Sequence, residues 1–245
     1  MRDRDDKATP TEPRGLIRTG MGWVFSVVSL LSVSLLISII GEWIGMTYWW
    51  KEEGLNHSAL LLDNELSFLN QHFKRAFYSD VSSAQIAKNL ADQVQQMLYV
   101  ESGWNHWRNR LIRPALAIEP SFLSALKSSY QAIEAYLFAM VNCIQVFVVR
   151  LFVIALSTPA YLLFGFAALV DGLVQRDLRR YGGGIERAFV YHKCKALLKP
   201  GVVLLPALFY LALPVTLNPG LVFIPAAAFF SLTLFMLATT FKKYL

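Results

Sequence analysis

The sequence predicts an all-α, polytopic integral membrane protein with four transmembrane helices and an all-helical extracytoplasmic region between spans 1 and 2. Apolar residues gather in blocks long enough to cross a bilayer, and no strand-like alternation interrupts them. Hydrophobic residues make up 55% of the chain and charged residues 16%, against about 25% charged in a typical soluble domain. The basic residues concentrate in alternate connecting segments, which is typical of a polytopic membrane protein.

The first span is predicted at residues 23–46, after a cytoplasmic tail over residues 1–22. A helix rises 1.5 Å per residue, so about 20 residues cross the roughly 30 Å hydrocarbon layer. Three aromatic residues follow at 48–50, as in an interfacial belt. The apolar run is longer than the roughly 7–15 residues of a secretory signal core, so we interpret it as an uncleaved signal anchor.

Residues 47–150 are predicted to form a periplasmic helical region. An apolar stretch that begins at Tyr136 is too long for one span, and Arg150 divides it. A charged residue at the bilayer centre costs about 2.5–3.5 kcal/mol. We therefore expect Arg150 at the outer interface, span 2 at 151–170, and residues 138–149 packed on the outer helices or lying in the interface.

The remaining segments are predicted as a basic cytoplasmic loop (171–200), span 3 (201–217), a tight turn at Asn218–Pro219–Gly220, span 4 (221–240) and a cytoplasmic C-terminus (241–245). The two predicted tails and the basic loop together hold 14 of the 23 lysines and arginines. Basic residues are retained on the cytoplasmic side of bacterial membranes. Both ends of the chain are therefore expected in the cytoplasm, and the protein in the bacterial inner membrane.

The predicted periplasmic region contains His57, His72 and His106 together with several acidic residues. No two of these histidines have the spacing of a zinc-binding helix, and the sequence has no HExxH, GxSxG, Walker lysine or GxGxxG pattern. We therefore expect solvated side chains here, with no catalytic, cofactor or metal site. The two cysteines do not indicate a disulfide framework.

Two further features leave alternatives open. The run Trp104–Arg110 interleaves aromatic and basic residues as nucleic-acid-binding patches do, but its predicted location favours an interfacial or protein contact. Glu42 and Arg150 lie near the same predicted boundary. They either pair or extend separately to the interface, and we favour the second arrangement.

The basic loop carries more than the positive charge that topology requires. Residues 171–180 extend span 2 as a charged helix, residues 181–184 break it, and a second short helix is predicted at 185–198. Arginine and aromatic residues are the types that supply interface hot spots. The candidate docking residues are Arg176, Asp177, Arg179, Arg180, Tyr181, Glu186, Arg187, Phe189, Tyr191 and His192. The aromatic residues could instead pack on the span ends, and that alternative stays open.

The loop also resembles the signature of the integrating conjugative element membrane proteins. The resemblance rests on Asp171-Gly172-Leu173-Val174, Arg176-Asp177-Leu178-Arg179-Arg180-Tyr181-Gly182-Gly183-Gly184, Glu186, Phe189-Val190-Tyr191-His192 and Lys195. It implies a four-span inner-membrane protein encoded beside the coupling ATPase of a type IV secretion system that transfers conjugative DNA. It implies no catalytic residues.

The expected function is therefore an inner-membrane scaffold or adaptor of a conjugative DNA-transfer apparatus. Its expected partners are membrane lipid and other type IV secretion proteins, including the coupling ATPase. A small membrane transporter or channel is the alternative, although spans 3 and 4 offer no carboxylate for an ion relay. An envelope enzyme is less favoured, as is direct DNA binding by the loop, which would be steeply salt-dependent.

Overall fold

All of the described secondary structure is helical. The computed structural model describes residues 16–72, 82–104, 106, 120–182, 188–199 and 203–241. The helices are α1 (Leu16–Tyr48), α2 (Leu55–His72), α3 (Ser83–Gln96, continued by a π-helical turn at Met97–Glu101), α4 (Pro120–Tyr181), α5 (Ala188–Leu197), α6 (Leu205–Ala212) and α7 (Pro219–Thr240).

Three of these helices contain segments long and apolar enough to cross a membrane. The segments are Val24–Tyr48, Ile133–Tyr181 and Pro219–Thr240. The all-α prediction is therefore confirmed for the described part of the chain, and the three apolar segments are consistent with a membrane protein. The fourth crossing and the sides on which the chain begins and ends stay predictions.

Helix α4 runs unbroken for 62 residues. At 1.5 Å per residue it is about 93 Å long, roughly three times the thickness of the hydrocarbon layer, so only part of it can lie in lipid. Both Arg150 and Pro159 lie inside it. The apolar stretch that we expected Arg150 to divide is therefore one continuous helix.

Helices α4 and α7 lie side by side and run in the same direction. A Cβ atom added at Gly165 would lie 3.0 Å from the Phe230 ring, and one at Gly172 would lie 2.6 Å from the Cβ of Ala238. From the first contact to the second the residue numbers increase along both helices, so the two helices are parallel. Because both glycines lack a side chain, the two backbones approach closely along this seam.

The span predicted at 201–217 is described from residue 203 onward, and its α-helix runs from Leu205 to Ala212. Pro206 lies in the first turn of α6, where its missing N–H costs little. Pro214 ends the helix, since a proline disfavours helical geometry at the residue before it, and Leu213 is extended with ψ of 125°. The chain is then irregular until Asn218, whose side chain accepts from the Gly220 amide at 2.9 Å at the start of α7.

The C-terminal part of α1 packs against α4. The Trp43 indole donates to the Tyr136 carbonyl at 3.1 Å, and the Thr47 and Tyr136 hydroxyls are 3.2 Å apart. A Cβ at Gly41 would lie 3.0 Å from Pro214, so α1 also meets the irregular segment after α6. The preceding apolar side chains of α1 are largely exposed, as lipid-facing residues are.

Helices α2 and α3 pack on the same end of α4, which we call the α2 end of the bundle. Leu69 of α2, Ala87 and Ala91 of α3, and Val149 and Val153 of α4 are buried together. The apolar segment 138–149 therefore packs on α2 and α3 as part of one core. The opposite end, where α4 finishes and α5 packs against α7, is called the α5 end.

Candidate functional site

Five ionisable side chains at the α2 end form what we call the buried polar cluster: Glu42, His57, Glu65, Arg150 and Tyr210. Arg150 is only 1% exposed, and Glu42, Glu65 and Tyr210 are fully buried. Charged groups in such surroundings are costly unless they are paired and hydrogen-bonded. The cluster therefore has to satisfy its own polar atoms.

Arg150 is satisfied by four hydrogen bonds and one ion pair. Its Nε donates to Glu65 Oε1 at 2.9 Å, and its Nη2 lies 2.8 Å from the same oxygen in the ion pair. Nη1 donates to the carbonyls of Tyr210 (3.0 Å) and Leu213, and Nη2 also donates to the Val215 carbonyl at 2.7 Å. Each of the three guanidinium nitrogens therefore donates at least one hydrogen bond.

These contacts explain how the irregular segment after α6 remains inside the bundle. The last carbonyls of a helix have no partner within it, and a carbonyl without a partner costs several kcal/mol in an apolar environment. Pro214 breaks the helix at that point. The guanidinium of Arg150 supplies the donors that the interrupted helix lacks.

The Glu65 carboxylate is satisfied at both oxygens. Its Oε2 accepts from the Tyr210 hydroxyl at 2.6 Å, while Oε1 accepts from Arg150. Arg150 also lies 5.1 Å above the centre of the Tyr210 ring, within the range of a cation–π contact. Three helices, α2, α4 and α6, are therefore joined through a single ion pair and one hydroxyl.

Glu42 of α1 pairs with His57 at the start of α2. The Nδ1 atom of His57 lies 3.0 and 3.2 Å from the two Glu42 oxygens. The imidazole stacks on the Trp50 ring, with centroids 4.0 Å apart and planes 17° apart. Trp50 in turn occupies the space where a side chain at Gly45 would lie. The turn between α1 and α2 is thereby held against α1.

The arrangement corrects two expectations drawn from the sequence. Glu65 and His57 are not solvated residues: the first is buried and the second is 17% exposed at its side chain. Arg150 pairs with Glu65 on the facing helix and is buried within the described chain, whereas Glu42 pairs with His57. No described group of three or more His, Cys, Asp or Glu side chains is placed to hold a metal ion.

The burial of Glu65 has a periodic signal in the sequence, which the expectation of solvated side chains missed. Ser58, Leu61, Glu65 and Leu69 recur at helical spacing, and all four are buried. A carboxylate on an apolar stripe requires a cationic or hydroxyl partner. The stripe therefore predicts burial of Glu65, although it does not identify the partner.

Replacing His57 with alanine is expected to destabilise the α1–α2 turn. The substitution leaves the buried Glu42 carboxylate without its partner, at a cost of about 1–3 kcal/mol. Thermal unfolding in detergent would show a lower midpoint for His57→Ala than for His57→Gln, whose amide can still donate to Glu42. Equal midpoints for the two variants would contradict a role for this hydrogen bond.

The predicted docking residues that the structure describes lie at the α5 end, on α4 and α5. We call Arg176, Asp177, Arg179, Arg180, Tyr181, Phe189, Tyr191 and His192 the basic–aromatic surface. Tyr181 is 91% exposed and Phe189 is 73% exposed. Arg176 pairs with its neighbour Asp177 at 3.2 Å, and Lys193 Nζ lies 5.5 Å from the Phe189 ring centre. Glu186 and Arg187 lie outside the described residues.

Two members of this surface also pack within the chain. The Tyr191 ring lies 6.1 Å from that of Phe241 and 5.6 Å from that of His192. Tyr191 is half-buried, whereas Tyr181 and Phe189 are open. The alternative that aromatic residues of the loop pack on a span end thus applies to Tyr191 and not to the other two.

Residues 49–242 match the family described as IncC plasmid conjugative DNA transfer protein DtrJ-like. This range covers most of the 245 residues. The chain belongs to the DtrJ-like family. The resemblance to a family of conjugative-element membrane proteins is thereby confirmed. Neither the curated proteins nor the solved structures gave a match.

Both sites of this DtrJ-like chain fall largely within the matched range. It includes the entire basic–aromatic surface and four members of the buried polar cluster; Glu42 lies before it. The part shared with the DtrJ-like family therefore contains the Arg150–Glu65–Tyr210 contacts in full. It also contains every helix after α1.

Proposed function

We propose that this chain is an inner-membrane adaptor of a conjugative DNA-transfer apparatus of the type IV secretion class. Membership of the DtrJ-like family supports the process. The adaptor would dock a cytoplasmic partner, such as the coupling ATPase, on the basic–aromatic surface. It would need no catalytic residue and no cofactor.

The exposure of two large aromatic side chains beside arginines is the observation that carries this proposal. Tyr181 and Phe189 are open to solvent, and Arg179 and Arg180 occupy the last turn of α4. Tyrosine and arginine dominate the energetically important contacts of protein interfaces, since they combine large buried area with directed hydrogen bonds. A helix end that only anchored the topology would need the positive charge alone.

The charge distribution supports a cytoplasmic location for this surface. The predicted loop 171–200 is rich in lysine and arginine, and α4 enters it directly from its apolar segment. By the same rule the α2 end would lie in the periplasm. The adaptor would then present α2 and α3 to envelope components on one side and the basic–aromatic surface on the other.

The placement of ionisable groups favours an adaptor over a transporter or channel. Residues 151–170 of α4 and all of α7 contain no acidic or basic residue and no histidine. A proton or ion path would need such groups spread through the membrane. Glu42 and Arg150 lie instead at the α2 end, where Glu42 is paired with His57 and Arg150 is paired with Glu65.

Replacing Tyr181 and Phe189 together with alanine is expected to lower DNA transfer at least about tenfold, since truncation of a hot-spot residue typically costs about 2 kcal/mol or more. Transfer frequency would be measured from donor cells whose only copy of the gene carries the substitutions. Replacing Arg179 and Arg180 with lysine should also reduce transfer, because lysine keeps the charge but loses the planar fork.

The matched control is Phe166→Ala in the apolar part of α4, where the side chain is 70% exposed. This change should leave transfer at the wild-type level. The adaptor proposal is wrong if both surface variants transfer DNA normally while their protein level and membrane insertion are unchanged. Tyr191→Ala serves as a second comparison, because its packing on Phe241 predicts a change in stability as well.

A further inference from the structure

A cleft opens beside the start of α6, between α4, α7 and the end of α5. We call it the α6 cleft. Its volume is about 40 Å³, so it is a shallow groove rather than a deep pocket. Its lining residues are Tyr161, Leu197, Leu198, Val203, Pro206, Ala226, Phe229, Phe230 and Thr233. All but Tyr161 and Thr233 are apolar.

The cleft lies along the apolar middle of α7. Ala226, Phe229, Phe230 and Thr233 recur at helical spacing and form one face of that helix. Phe229 is 53% exposed, so the described chain does not close this face. The Thr233 hydroxyl donates to the Phe229 carbonyl at 2.7 Å and is therefore already used. The surface available to an occupant is hydrocarbon-like.

Two lysines lie next to the residues that line the cleft. Lys195 and Lys199 are four positions apart, and Leu198, which lines the cleft, falls on the same face between them. Helical hydrogen bonding continues through this stretch, since the Leu198 amide donates to the Cys194 carbonyl at 3.0 Å. Both lysines are exposed, and neither makes an ion pair with another described residue.

We propose that the α6 cleft binds one acyl chain of an anionic phospholipid whose phosphate contacts Lys195 and Lys199. The cleft would hold the apolar chain of a phospholipid, and the two lysines on the segment that contributes Leu198 would hold its anionic headgroup. Basic pockets between transmembrane helices are typical sites for anionic headgroups. The lysine ammonium is a compact point charge on a flexible stem, so it can move to meet a phosphate group. The site is separate from the basic–aromatic surface and does not depend on the proposed docking.

The test uses the purified full-length chain in lipid nanodiscs. One probe is phosphatidylglycerol carrying a photoreactive diazirine near the end of an acyl chain, and the other is phosphatidylcholine with the same chain. We expect crosslinks to concentrate on residues 197–198, 203–206 and 226–233, with roughly thirtyfold preference for the anionic probe, since two lysines near a membrane surface contribute about 1 kcal/mol each.

Two kinds of variant test the lysine pair and the apolar cleft separately. Replacing Lys195 and Lys199 with glutamine should abolish the preference for phosphatidylglycerol and leave crosslinking by phosphatidylcholine unchanged. Ala226→Phe should fill the cleft and reduce labelling by both probes, and Val203→Phe provides an independent way to fill it. Lys193→Gln is the matched control, because the Lys193 ammonium lies over Phe189 instead.

The proposal fails if the two probes label the cleft equally in the wild-type chain. It also fails if labelling there is no stronger than at the exposed, lipid-facing Leu162 and Phe166, since that result would indicate bulk lipid only. Unchanged labelling in both Ala226→Phe and Val203→Phe would likewise overturn it. The thermal unfolding midpoint of each variant shows whether the fold is retained.

Discussion

Arg150→Met is expected to destabilise the protein strongly, and more than loss of the His57 side chain does. The methionine removes four hydrogen bonds and one ion pair at once. It leaves the Glu65 carboxylate with only the Tyr210 hydroxyl, and it leaves the carbonyls of Tyr210, Leu213 and Val215 without this donor. Breaking a buried ion pair from one side costs about 3–5 kcal/mol. For a chain of this size that corresponds to a fall of roughly 10 °C in the unfolding midpoint.

Companion variants separate the charge from the hydrogen bonds. Arg150→Lys keeps the positive charge but has only three donors, so its midpoint should lie between those of the wild type and Arg150→Met. Adding Glu65→Gln to Arg150→Met removes the uncompensated charge and should recover part of the loss. Residues in one network behave non-additively, so the double variant should be more stable than the sum of the two single changes predicts.

Lys88→Met provides the control for loss of a basic residue, because Lys88 is exposed on α3. Its free energy of unfolding should stay within about 0.5 kcal/mol of the wild-type value, as for most surface substitutions. Midpoints would be measured by thermal unfolding in detergent. A value for Arg150→Met equal to that for Lys88→Met would show that the buried polar cluster does not hold α2 and α6 to α4.

The second large effect is expected from reporter fusions that record topology. Alkaline phosphatase fused after Lys88 should be active, and the same enzyme fused after Lys193 or Leu245 should be inactive. The concentration of lysine and arginine in the predicted cytoplasmic segments motivates this expectation. The packing adds a constraint: α4 and α7 run parallel, so α5 and the end of α7 lie at the same end of the bundle.

A fluorescent protein that folds only in the cytoplasm provides the inverse readout at the same three positions. It should be bright after Lys193 and Leu245 and dark after Lys88. Phosphatase activity at Lys193 would overturn the four-span arrangement. It would also remove the cytoplasmic location that the adaptor proposal requires for the basic–aromatic surface.

The sequence predicted those features that depend on neighbours along the chain. Hydropathy located the apolar segments of α1 and α7. The break in the predicted third span was harder to foresee. Pro214 was visible, but a run from 201 to 217 is apolar throughout, and hydropathy does not report whether such a run is helical.

Pairings between distant residues could not be predicted in the same way. Glu65 and Arg150 are separated by 85 positions, and nothing in either local sequence identifies the other. The sequence placed Glu42 and Arg150 near the same predicted membrane boundary, which made Glu42 a possible partner of Arg150. In the structure Glu42 pairs with His57, whose ring stacks on Trp50.

The continuity of α4 has a consequence for the evolution and engineering of this chain. Helices α2 and α3 bury their apolar faces on Val149 and Val153, which belong to the same unbroken helix that packs along α7. The segment before residue 133 is therefore not an exchangeable module. A chimera that takes α2 and α3 from one relative must also take residues 138–153 and Tyr210, so recombination between relatives should preserve these parts as one inherited block.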